Sequence, residues 1–97
     1  MRVQFVPREN GPKRLVCEAE VVFGPESGPL SGTKLVGFSL WRSPEGDVYV
    51  TFPARAFGVA NERKYYDFLR AAEPGSGETR RVKDWILEEY RASTRAA

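Results

Sequence analysis

Apolar and polar positions alternate along most of the chain, then switch to a helical period near residue 78. Val3 to Val6 reads as a short strand closed by Pro7, and Asn10-Gly11-Pro12 as a turn. From Leu15 to Phe23, residues Leu15, Cys17, Ala19, Val21 and Phe23 fall on one face; Val16, Glu18, Glu20 and Val22 fall on the other. Leu35 to Trp41 alternates again: Val36, Phe38 and Leu40 against Leu35, Gly37, Ser39 and Trp41. Ser43-Pro44-Glu45-Gly46 carries Pro second and Gly fourth, which suits a type I turn. Asp47 to Phe52 then returns antiparallel, with Val48, Val50 and Phe52 sharing a face. Pro53 has no amide hydrogen to donate and ends that ladder.

Elsewhere the pattern is weaker. Gly24 to Thr33 is rich in Gly, Pro and Ser and reads as a flexible loop spanning about residues 25–34. Ala54 to Arg63 mixes small and charged residues and reads as irregular. Tyr65 to Leu69 is rich in strand formers, with Tyr66 and Phe68 on one side and Tyr65, Asp67 and Leu69 on the other. A helix over Ala60 to Ala72 is the competing reading there. Glu73-Pro74-Gly75-Ser76-Gly77 breaks the chain. Beyond it Val82, Trp85, Ile86 and Tyr90 form an apolar stripe at helical spacing. Ser76 or Thr79 is expected to cap that helix, and Ser93 to Ala97 to fray. The expected fold is α+β: a small antiparallel sheet of four to five strands with a C-terminal α-helix packed against it.

Length and composition narrow the function. At 97 residues the chain fits a single domain over 1–97 with a thin core, which a homodimer would help to bury. Apolar residues make up 41% and charged residues 29%, which argues against disorder. Net charge is only +2, so any case for a polyanionic partner rests on where the cations lie. There is no histidine and one cysteine, Cys17, which removes Ser-His-Asp triads, Cys-His dyads, His-based metal sites and an internal disulfide. Cys17 itself alternates with core residues and reads as a small buried hydrophobe. A cytoplasmic, reducing setting follows as the expectation, with no leader, no membrane span, no cofactor, no metal and no small-molecule substrate. Glu18 and Glu20 share a strand face about 7 Å apart by strand rise. No second catalytic residue type accompanies them, so a solvated face is the better reading and an enzyme is not expected.

The sharpest constellation is Arg80, Arg81 and Lys83 in the first turns of the helix. A helix start already carries partial positive charge and favours Asp or Glu, so cations gathered there suit an approaching polyanion. The plain alternative is a solvated face with Arg80 opposite Asp84, one turn on. Arg55, Arg63 and Lys64 precede the expected strand at Tyr65 and would extend a basic surface toward the helix. Trp41, Tyr49, Tyr65 and Tyr66 offer rings that either stack bases or serve as core and partner surface.

Phe52-Pro53-Ala54-Arg55, then Tyr66-Asp67, then Thr79-Arg80, and finally Ile86-Leu87-Glu88-Glu89-Tyr90 form an ordered set. That set resembles the SpoVG family of bacterial septation regulators, over roughly Leu15 to Arg91. The resemblance implies a small α+β homodimer that binds DNA or RNA, regulates septation or sporulation and has no assigned enzymatic activity. It places the basic helix start in this chain at Arg80, Arg81 and Lys83. The Gly24 to Lys34 loop is longer than that family's tight connection. A protein-interaction adaptor that docks a partner on an exposed sheet face is the alternative from a different class.

Overall fold

The computed structural model describes residues 1–96; Ala97 lies outside them. Four strands, β1 (Arg2–Val6), β2 (Leu15–Val22), β3 (Lys34–Arg42) and β4 (Val48–Thr51), form one antiparallel sheet in chain order. Two further strands, β5 (Ala54–Phe57) and β6 (Lys64–Asp67), pair only with each other. One helix, α1 (Glu78–Ala96), packs across the four-stranded sheet. The arrangement is the α+β sheet-and-helix fold expected from the pattern, with the last two strands set apart as an arm.

One face of the sheet meets α1. Cys17, Ala19, Val21, Phe38, Leu40, Val50, Phe52 and Ile86 are buried there, and Phe38, Leu40 and Ile86 are sealed from solvent. The helical stripe behaves as its spacing predicts: Val82, Trp85 and Tyr90 flank Ile86 against the core, joined by Leu87. Phe38 meets Phe52 edge-on at 5.6 Å, and Phe5 meets Tyr90 edge-on at 5.5 Å. These contacts carry the helix from the β4 side of the sheet to the β1 side. Burial pushes the Cys17 thiol above its ordinary value, so the side chain stays protonated and inert.

Two bulges correct the simple alternation. Cys17 pairs with Leu40, but Leu15 pairs with Trp41, so β2 holds one extra residue there. Val16 therefore packs on the core and Leu15 turns to the open face. Ala19 pairs with Phe38, but Val21 pairs with Leu35, so β3 holds one extra residue between them. Leu35 consequently joins the core while Val36 is 50% exposed, the reverse of the even-odd expectation. Gly37 makes this second bulge possible. Its φ of 104° is a conformation side chains resist, and a Cβ there would lie 2.8 Å from that of Pro53.

The connections hold other differences. The Ser43–Gly46 turn forms as expected, with the Gly46 amide donating to the Ser43 carbonyl at 2.9 Å. The segment read as a flexible loop instead contains a 3₁₀ stretch, Pro25–Leu30, closed where the Phe23 amide donates to Thr33 and the Gly32 amide to Phe23. Ala54–Phe57, read as irregular, is strand β5, because Tyr65 and Tyr66 across the ladder supply its partners. The strand reading of Tyr65 onward holds, although β6 starts at Lys64 and ends at Asp67. Glu78 is the first helical residue, so the cap position falls to Gly77 rather than to Ser76 or Thr79; the Arg80 amide donates to the Gly77 carbonyl. The helix runs through Ala96; of the segment expected to fray, Ala97 lies outside the described residues.

Four outcomes follow from this packing. Ile86→Ala should cost about 2–5 kcal/mol in denaturant unfolding, as for other sealed aliphatic side chains. Gly37→Ala should cost at least about 2 kcal/mol, from strain and the Pro53 clash together. Gly46→Ala, with similar φ but open space around it, should lose only about 1 kcal/mol, so the difference isolates the Pro53 contact. Cys17 should resist a thiol-labelling reagent in the native protein and react fully once denaturant unfolds it.

Candidate nucleic-acid interface

The cations singled out in the sequence divide into two neighbouring groups. The first lies at the start of α1. Arg80, Arg81 and Lys83 are all exposed, but their surroundings differ. Arg81 is ion-paired with Glu78, one turn back in the same helix. Glu78 thus places a carboxylate in the first turn, where the helix dipole favours one, and supplies part of the charge the cations were expected to seek outside the chain. The pair is exposed, so it holds Arg81 only weakly. Among the described residues Arg80 makes no ion pair, and the expected Arg80–Asp84 pairing is not formed. Lys83 Nζ sits 5.2 Å above the Phe52 ring, an exposed cation resting on the rim of the core.

The second group rides on the arm. Phe52 leads through Pro53 to β5, so Arg55 lies within about 10 Å of Phe52 along the backbone. The Phe68 amide donates to the Pro53 carbonyl at 2.8 Å and fixes the base of the arm beside the end of β4. Arg55 pairs in register with Tyr66, and Phe57 with Lys64. The Arg55 guanidinium stands 4.9 Å over the Phe57 ring. Arg63 and Lys64 are exposed and, like Arg55, form no ion pair among the described residues. Between arm and helix start runs an open concavity lined by Asp67, Leu69, Arg70, Pro74 and Thr79. Arg70 donates from Nε to the Asp67 carbonyl at 2.7 Å, which leaves the outer guanidinium nitrogens facing solvent.

Two residues of this surface escape a sequence reading. Phe57 lay in a segment that looked irregular; its signal was the spacing Arg55-x-Phe57 set against Tyr66-x-Lys64. Arg70 had no neighbour in the sequence to mark it. The other rings separate. Trp41 pairs with Tyr49 on the sheet face away from α1, and Trp41 Nε1 donates to Thr51 Oγ1 at 2.9 Å. That open face also carries two ion pairs: Glu18 with Arg8 at 2.9 Å and Glu20 with Lys34 at 3.0 Å. Those two carboxylates are thus tied to separate cations, Arg8 just beyond β1 and Lys34 in β3, not poised together as an acid–base pair.

No family model, curated protein or solved structure matches this chain. Among the described residues no helix is long and apolar enough to cross a membrane.

The arm's own stability can be probed at its turn. Gly58 has a φ of 91°, and a Cβ there would come within 2.7 Å of the Glu62 carbonyl oxygen. Gly58→Ala should therefore speed amide hydrogen exchange in β5 and β6 several-fold while leaving exchange in β2 and β3 unchanged.

Proposed function

We propose that this chain is a small, non-enzymatic nucleic-acid-binding regulator resembling the SpoVG septation and sporulation regulators, and that it acts in the cytoplasm as a homodimer. Arg80 and Lys83 at the helix start, with Arg55, Arg63 and Lys64 on the arm, hold backbone phosphates. Arg81 joins them when a phosphate displaces Glu78. The observation that carries the reading is the continuity of the two groups: Lys83 rests on Phe52, and the chain runs from Phe52 directly into Arg55. Five cations that lack carboxylate partners among the described residues suit a polyanion better than a neutral or acidic surface. No recognition helix or base-reading motif is apparent, so the reading is of modest, shape-led specificity.

Self-association is supported by the arm. A lone two-stranded hairpin is marginal in water. This one exposes Val59 at 75%, Tyr65 at 69% and Phe68 at 63%, apolar surface that a second copy would cover. The adaptor alternative rests on a different observation: α1 covers one sheet face only, leaving Trp41 and Tyr49 on the other. Salt-insensitive capture of a protein partner, with no nucleic acid co-purifying, would favour it.

A mobility-shift titration with duplex DNA, single-stranded DNA and RNA at two salt concentrations tests the main reading. Binding should weaken steeply with salt, each neutralised phosphate adding about 0.9 to the slope on duplex and about 0.7 on single strands. Arg80→Ala/Arg81→Ala/Lys83→Ala should reduce both affinity and slope; binding equal to the parent's removes the assignment. Arg81→Ala alone should cost less than Arg80→Ala, because Glu78 already shields it. Light scattering should return twice the chain mass, and a monomer would exclude the homodimer.

A further inference from the structure

We infer that one face of the arm is a stacking platform for unpaired bases, so that the preferred ligand is a single-stranded polynucleotide rather than a duplex. The inference rests on the nucleic-acid reading above and adds the substrate class and the residues that select it.

The two faces of the arm differ sharply. Cross-strand partners point the same way, and residues two apart share a face. Arg55 with Tyr66, and Phe57 with Lys64, therefore form one face; Ala54 with Asp67, and Ala56 with Tyr65, form the other. The first face alternates cation and ring around a square. It holds two positive charges and no carboxylate. The second holds small side chains, one tyrosine and the arm's only in-strand carboxylate. The rings of the first face are 45% and 46% exposed for Phe57 and Tyr66, and belong to no part of the core. They meet edge-on, 5.2 Å apart at 75°. Neither ring is therefore stacked flat on the other. Arg55 lies over Phe57, where a guanidinium both stacks and reaches phosphate.

That layout matches the needs of a single strand. Every base has a flat face that an exposed ring can cover, and each base step carries one phosphate for a neighbouring cation. A duplex hides those faces in its own stack and offers the arm its phosphates alone. The complementarity is therefore twofold: cations match phosphates on either ligand, whereas the rings are used only by the unpaired strand. The other role open to the two rings is cross-strand stapling of the hairpin.

Fluorescence anisotropy with labelled oligothymidylate, oligouridylate and a duplex of the same length tests the inference in the full chain. The parent should bind both single strands more tightly than the duplex. Phe57→Leu/Tyr66→Leu keeps apolar volume for the hairpin but removes the flat rings. It should weaken single-strand binding about tenfold or more for each base it would have stacked, with duplex affinity and salt slope unchanged. Phe57→Leu alone should show the smaller part of that loss, with the parent's circular dichroism. Tyr65→Leu, on the opposite face, should change single-strand affinity less than about twofold, below the loss of one stacked base. Parental single-strand affinity in the double variant would overturn the inference and assign the rings to the hairpin. The nucleic-acid reading would survive that result if Arg80→Ala/Arg81→Ala/Lys83→Ala still lost binding. A double variant that turns monomeric yet binds strands normally would also overturn the inference, making the face a self-association surface. A parent that binds neither strand nor duplex would end both readings.

Discussion

The direction in which the chain leaves the main sheet depends on the close approach of Pro53 to Gly37. The chain leaves the four-stranded sheet at Pro53, and everything proposed as a binding surface lies beyond that exit. A side chain at residue 37 would collide with the proline ring. Glycine there does two things at once: it accepts the positive φ of the β3 bulge and it opens space for the exit. The bulge in turn decides which of Leu35 and Val36 is buried, so core composition and arm direction are set at one point. Phe52, one residue before the exit, is gripped by Phe38 below and capped by Lys83 above. The arm is thus rooted in the core through Phe52 although none of its strand residues is buried.

Charge is distributed with a similar division. On the open face of the sheet, cations meet carboxylates, Lys34 with Glu20 across strands and Arg8 with Glu18 from the loop after β1. Such exposed pairs contribute little stability individually, but they neutralise the face. Among the described residues the cations at the helix start and on the arm lack that pairing, apart from Arg81 with Glu78. With a net charge of only +2, the chain also carries cations away from this surface, Lys13, Arg14 and Arg42 among them around one concavity. Local concentration, not total charge, is what a polyanion would sense within a Debye length of about 8 Å at physiological salt.

Much of the fold was legible from periodicity alone. The four strands, the turn at Ser43–Gly46 and the stripe of Val82, Trp85, Ile86 and Tyr90 all follow from where apolar residues recur. What alternation cannot register is an inserted residue, because a bulge shifts the face of everything beyond it. Hence Leu15, Val16, Leu35 and Val36 were each assigned to the wrong side, with Gly37 the one local hint. β5 was hidden for another reason: Ala54, Arg55 and Ala56 have little strand preference, and their conformation is imposed by the tyrosines opposite. The cations of the site were all visible as residues. Their inequality was not, since the sequence pointed to Asp84 as the acidic neighbour while the folded helix uses Glu78. The face that joins Arg55, Phe57, Lys64 and Tyr66 required the β5–β6 register, which only the structure supplies.

The edge of the main sheet has a separate implication. β4 is four residues long, uncharged and unpaired on its outer side, a composition that invites a foreign strand to add on. Its shortness and its boundaries contain that hazard: the Ser43–Asp47 turn closes one end and Pro53, unable to donate, closes the other. An incoming strand would find too few free amides and carbonyls to hold its register. This edge is accordingly guarded against fibrillar pairing, and a replacement of Pro53 would forfeit that protection even where the fold itself survived.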